Sequence, residues 1–205
     1  VHHAFEPPLT AVANPRVRRL LQGGLAIALA SAMSSAARAQ PAPVAASVPP
    51  DLDELKAAYL YKFVSFVDWP ATAFRNSESP IVIAVVGNEP VYDHLAHMVL
   101  GRSVQGRLVT VRKIGSGDTA AAADASLLFV AGNLSARKEW EQRVGGHPVL
   151  WVTDVPGGLT RGSLINFILV DGRLRFEASL PAIERSGLSV SSRLLSLAET
   201  VLTKP

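Results

Sequence analysis

Three stretches constrain this chain more than any other feature: the unbroken apolar runs Ile81 to Val86 and Leu127 to Val130, and Val149 to Thr153, apolar up to its closing threonine. A strand with one wet face alternates between apolar and polar residues, so runs without alternation read as strands covered on both faces. Pro80 and Gly87 bound the first run, and Gly145-Gly146 breaks the chain before the third. Helical patterns fall between them. One starts at Asn88 and Pro90 and runs to Leu100, where Gly101 closes it; a short Ala-rich one starts at Thr119; a third spans Ser135 to Val144. Leu108 to Ile114 alternates, as a strand nearer an edge does. Strand–helix–strand alternation predicts an α/β fold, a mostly parallel sheet flanked by helices on both sides.

The pattern then changes. Leu164 to Val170, Asp171-Gly172 and Arg173 to Ala178 read as strand, type I′ turn and strand, an antiparallel hairpin. A two-residue turn fixes the register: Val170 faces Arg173, Leu169 faces Leu174, Phe167 faces Phe176 and Ile165 faces Ala178. Ile165, Phe167, Leu169, Leu174, Phe176 and Ala178 then form a core face. Asn166, Ile168, Val170, Arg173, Arg175 and Glu177 form the other. A closing helix is expected from about Ser192 to Leu202, packing Leu194, Leu195, Ala198, Val201 and Leu202.

Ahead of the first strand, Asp51 and Glu54 make a capping box for a helix whose stripe is Leu52, Leu55, Tyr59, Phe63 and Phe66. Trp69-Pro70 is expected to end it, because the residue before proline is pushed out of helical geometry. The aromatic residues here, Trp69 included, are expected in the core.

Residues 1–39 read as a signal peptide for general secretory export. Arg16, Arg18 and Arg19 precede an apolar run from Leu20 to Met33, and Ala37-Arg38-Ala39 matches a cleavage site. That run falls short of the about 20 residues a bilayer span needs. Residues 40–50, rich in Pro and Ala, read as a disordered linker, and 51–205 as a single domain. Removing the first 39 residues takes away four of the 20 basic and one of the 17 acidic residues, leaving 16 of each. A neutral mature chain gives no electrostatic reason to expect nucleic acid or an anionic membrane surface. With no cysteine, the chain has no residue for a lipid anchor, disulfide, thiolate metal site or thiol catalysis.

Little of the remaining chemistry converges. Gly115 to Ala120 fits G-x-G-x-x-A after a strand, but the helix behind it is short and the next strand lacks a terminal acid. Asp93, His94 and His97 lie within a helical turn, without further ligands nearby. No G-x-S-x-G elbow is present. No cofactor, catalytic constellation or metal site is therefore expected. Two surfaces remain. Asn88, Glu89, Asn133 and Asp154 fall at the carboxyl ends of strands, where open α/β sheets take ligands. Asn166, Ile168, Arg173, Arg175 and Glu177 mix apolar and charged side chains as interfaces do.

Two blocks carry a resemblance. One is Tyr59 to Pro70, with its Trp-Pro ending. The other runs from Gly162 to Phe167, through Gly172 to Glu177, to Gly187 to Ala198. With Val85-Val86-Gly87, Gly101 to Arg107, Leu128 to Val130 and Pro148 to Leu150 between them, the stretch from Leu55 to Val201 resembles the YfiR family of exported bacterial proteins. The resemblance implies a periplasmic, non-enzymatic regulator of cyclic di-GMP signalling and biofilm formation. Its partners would be the periplasmic domain of an inner-membrane diguanylate cyclase and an outer-membrane lipoprotein that removes it; a homodimer stays open. Better-known members carry disulfides that this chain cannot form, and Ala178-Ser179 stands where the family has Ile-Asn. The alternative reading is a periplasmic small-ligand module feeding a sensor kinase or other receptor.

Overall fold

Asp51 caps α1, Leu52–Val64, in the computed structural model, which describes residues 51–133 and 138–204. The expected signal peptide and linker, and the first residues of the helix expected from Ser135, lie outside the described residues. The Asp51 carboxylate accepts from Asp53 N at 2.9 Å, so the cap bonds one residue earlier than the expected box. The helix is also shorter than its apolar spacing suggests. It stops at Ser65, and Val67–Asp68 becomes a short strand, β1. Long-range pairing takes over there: β1 lies antiparallel to β9, Ser189–Val190, and Gln105 Nε2 donates to Val67 O and Asp68 Oδ1. Trp69 follows, buried, its indole N–H donating to Ser126 O at 3.1 Å.

The three apolar runs become buried parallel strands: β2 Ile81–Val86, β5 Leu127–Val130 and β6 Leu150–Thr153. Around them lie α2 Glu89–Met98, β3 Ser103–Val104, β4 Arg107–Ile114, α3 Lys138–Val144, β7 Ile165–Val170 and β8 Arg173–Ser179. After these come α4 Leu180–Ser186, α5 Ser192–Leu195 and β10 Thr200–Leu202. The larger sheet has the order β10-β8-β7-β6-β5-β2-β4-β3; only β7–β8 and β4–β3 pair antiparallel. Among the described residues no helix is long and apolar enough to cross a membrane.

Helices cover both faces. Phe63 of α1 lies 5.1 Å from Phe176 and 5.8 Å from Phe167, ring centre to ring centre, and Tyr59 stands 5.9 Å from both. This aromatic cluster joins the two sequence blocks through the core. On the opposite face, α3 and α4 pack around Trp151.

The hairpin forms in the expected register, all six pairs from Ile165↔Ala178 to Val170↔Arg173. Asp171 and Gly172 both take positive φ, 50° and 71°, as a type I′ turn requires. Leu169 departs from its core assignment: it is 59% exposed at the hairpin tip. The closing helix is a correction. It lasts one turn, and Thr200 to Leu202 extend beside β8 in parallel instead. The open edge of β8 offers hydrogen bonds that a surface helix would forgo, and β-branched Thr200 and Val201 suit a strand.

Candidate functional site

The expected partner face divides along its length. Asn166 has no exposed surface. Its Oδ1 accepts from Thr153 Oγ1 at 2.7 Å and Val155 N at 3.1 Å, and its Nδ2 donates to Glu177 Oε1 at 2.9 Å. The segment after β6 lies directly over it, since a Cβ on Gly158 would stand 2.4 Å from Asn166 Oδ1. Asn166 is thus corrected from partner contact to internal strut: a two-residue period names the face but not what covers it.

Toward the tip the face opens. Ile168 and Glu177 are half-buried, while Arg173 and Arg175 are exposed. Arg175 Nε lies 4.0 Å from Glu199 Oε2. Val170, Asp171, Arg173, Arg175 and Glu199 border a shallow depression of about 400 Å³.

The strand-end residues have found one another. Asn88 caps α2, accepting from Val91 N, and donates to Asp53 Oδ1 at 3.0 Å. Lys56 bridges Asp53, at 3.5 Å, to Asp154, at 2.9 Å, and Asp154 Oδ1 accepts from Gly132 N. A polar chain therefore ties the start of α1 to the strand ends, using atoms expected to meet a ligand. Glu89 pairs instead with Lys113 across the surface, and that hydrogen bond holds the Lys113 ammonium above its ordinary range. Asn133 is exposed and outside this chain of contacts.

What the sequence did not reveal is an apolar groove of about 400 Å³ beside Lys56 and Asp154. Leu52, Val155, Phe167, Ile168, Leu169 and Leu174 line it. It brings together Ile168 from the partner set and Asp154 from the ligand set. Its only signal was an apolar residue at the outer end of each element, Leu52 and Leu169, both of which are exposed.

The other motifs have local roles. Asp118 caps a 3₁₀ helix, Thr119–Asp124, so Gly115 to Ala120 opens no α-helix. His94 Nε2 lies 3.4 Å from Asp51 Oδ2, and His97 Nδ1 lies 2.7 Å from Asp93 O. Among the described residues no three His, Asp or Glu converge to hold a metal ion. Arg107 stacks on Phe74 and donates to the carbonyls of Asn76, Ser77 and Ser79, fastening that loop.

The YfiR/HmsC-like family model, DUF4154, matches residues 53–199, and the chain belongs to that family. No curated protein matches the sequence. Among solved structures, the chain is similar to the crystal structure of a conserved domain protein from Vibrio cholerae O1 biovar eltor str. N16961. The identity is 12% and the TM-score 0.45 over 73% of this chain, and the chain spans 60% of that one.

Proposed function

We propose that this chain is an exported, non-enzymatic regulator that binds the periplasmic part of a membrane signalling enzyme, a diguanylate cyclase, and restrains it. Membership of the YfiR/HmsC-like family supports a regulatory role. The observation that carries the interface is the open half of the hairpin face. There Arg173 and Arg175 stand exposed beside the half-buried Ile168. Apolar and charged side chains side by side are usual in a protein interface. An outer-membrane lipoprotein would compete for the same protein. Deleting the gene should raise cellular cyclic di-GMP; an unchanged level would rule out the cyclase as target. Protein released by osmotic shock should begin at Gln40 by intact mass, with residues 40–50 a linker and 51–205 one domain.

The groove also supports a second reading, a small-ligand module. Lys56 and Asp154 set both charges at the rim of an apolar pocket of ligand size. A metabolite panel that raises the melting temperature of the isolated protein would favour it, and loss of that shift in Ile168→Glu would place the ligand there.

A further inference from the structure

At one edge of the larger sheet the short strand β3 covers only the start of β4. β2 pairs with Val109 to Ile114 on the inner side of β4, whereas β3 pairs on its outer side with Arg107 and Leu108 alone. Val109 N donates to Arg102 O at 2.9 Å, and there the cover ends. Among the described residues no strand lies outside residues 110–114.

Hydrogen bonds along β2 decide which backbone groups of β4 are open. Ser126 N donates to Val82 O and Ala131 N to Val86 O, so Val82, Ala84 and Val86 turn toward β5 and Ile83 and Val85 toward β4. Ile83 lies opposite Val111 in a parallel ladder, where an inward residue bonds the two neighbours of its counterpart. Thr110 and Arg112 therefore direct their backbone groups into the sheet, and Val111 and Lys113 direct theirs out of it. The outward N–H of Val109, held by Arg102, agrees with this alternation. Among the described residues nothing bonds the N–H or C=O of Val111 or Lys113. The side chains here are basic and apolar. Lys113 pairs with Glu89 of α2, but Arg112, half-buried on the opposite face, has no carboxylate partner among the described residues. Its Nη2 donates to Ala121 O at 2.8 Å, and its Nε is buried without a partner. Leu100, two residues before Arg102, is 83% exposed, and Leu108, opposite Ser103, 58%.

We propose that residues 110–114 take an extended segment of another protein as an added antiparallel strand, with an acidic residue opposite Arg112 and an apolar one opposite Val111. Val111 and Lys113 each exchange N–H···O=C bonds with the segment, a recurring way for an open sheet edge to bind a peptide. Arg112 then falls in a non-hydrogen-bonded pair, where side chains stand closest, so a carboxylate opposite it meets its unpaired charge. Lysine and arginine on an edge oppose indiscriminate pairing, and an acidic segment turns that barrier into selectivity. A second copy does not fit, because two such edges would crowd basic side chains together. In the sheet β2, β5 and β6 separate this edge from the β7–β8 hairpin, and the proposal does not depend on the hairpin-face reading.

Two capped peptides, Thr-Val-Glu-Val-Thr and Thr-Val-Lys-Val-Thr, test this on the purified full chain by amide NMR at millimolar concentration. The Glu peptide should slow hydrogen exchange at Val111 and Lys113 and leave Thr110 and Arg112, already bonded to β2, unchanged. The Lys peptide should bind at least about fivefold more weakly. Arg112→Gln should remove that preference. Val111→Pro takes away one outward N–H and should weaken both peptides. The spectrum without peptide establishes that each variant is folded; where one is not, the comparison of the two peptides on the parent chain decides alone. Absence of protection at Val111 and Lys113 with both peptides overturns the proposal, as does equal binding of the two. So does protection confined to β10, because the peptide-binding edge would then be the other one.

Discussion

Asn166 and Glu177 face each other across the hairpin, and the Asn166 amide donates to the Glu177 carboxylate at 2.9 Å. The other end of that amide holds Thr153 Oγ1 and Val155 N, so one buried side chain fastens the segment after β6 to the sheet. Asn166→Ala should cost about 2–4 kcal/mol in urea denaturation, because it strands buried donors without a partner. Asn166→Asp keeps the acceptor but sets a second carboxylate against Glu177. It should therefore destabilise more at neutral than at mildly acid pH. An alanine variant as stable as the parent would show that the strut carries no load.

Gly158 makes a separate prediction about the same place. Its φ is −55°, ordinary for any residue, so alanine there meets no backbone strain. The obstacle is space: a Cβ would lie 2.3 Å from Thr153 Oγ1 and 2.4 Å from Asn166 Oδ1. Gly158→Ala should cost about 1–3 kcal/mol by forcing the segment off the sheet. Gly172→Ala is the contrast, with open space but φ of 71°. Combining Gly158→Ala with Asn166→Ala should cost less than the sum of the two, because they break one contact.

The buried strands and the hairpin register were legible in the sequence because each rests on local chemistry. An apolar run cannot face water, and Asp171-Gly172 admits one turn type. The two elements that differed answer to distant partners. Phe66 continues the helical spacing of α1, yet Val67 pairs with Val190, and Ser191 N donates to Phe66 O. Val201 fits a helix stripe equally well, but the vacant edge of β8 claims it. The site followed the same rule. Period two placed Asn166, Ile168, Arg173, Arg175 and Glu177 on one face. The cover over Asn166 comes from Gly158, which no local pattern connects to the hairpin. The apolar groove needs α1 and the hairpin side by side, and the contacts of Tyr59 and Phe63 with Phe167 and Phe176 that join them are distant in sequence.

Asp51 gives a pH prediction. The backbone N–H of Asp53 holds its carboxyl below the ordinary value of 3.8, and His94 adds to the effect. A group whose folded value lies below its unfolded one favours the folded chain above the unfolded value. That contribution is lost as pH falls through the folded value. An NMR titration of the Asp51 side-chain carbonyl should therefore show a midpoint below 3.8. Asp51→Asn keeps a capping oxygen without the titration, so its stability should change less across that acid window than the parent's. A midpoint at or above the ordinary value would mean that the cap is not formed in solution.

The partner surface gives the last prediction. Asn166 and Glu177 are bound to each other, so a change at either mixes folding with binding, and Glu177→Lys should lower the melting temperature. Arg173 and Arg175 are free of that problem. Both are exposed, and among the described residues Arg175 has only a long ion pair, to Glu199 at 4.0 Å, which is worth little at a surface. Arg173→Glu and Arg175→Glu should each leave the melting temperature nearly unchanged. If the hairpin tip meets the receptor, each should weaken binding of its purified periplasmic domain by about 1–3 kcal/mol. Ile168→Glu, on the same face as the two arginines, should weaken it at least as much, since a charge in place of an apolar contact opposes desolvation. The effect of salt separates the two contributions. Binding by the parent should fall with ionic strength if the arginines contribute, and the remaining affinity of the Arg173→Glu, Arg175→Glu double variant should be less salt-sensitive. Folded variants at all three positions that bind like the parent would move the interface off the hairpin tip.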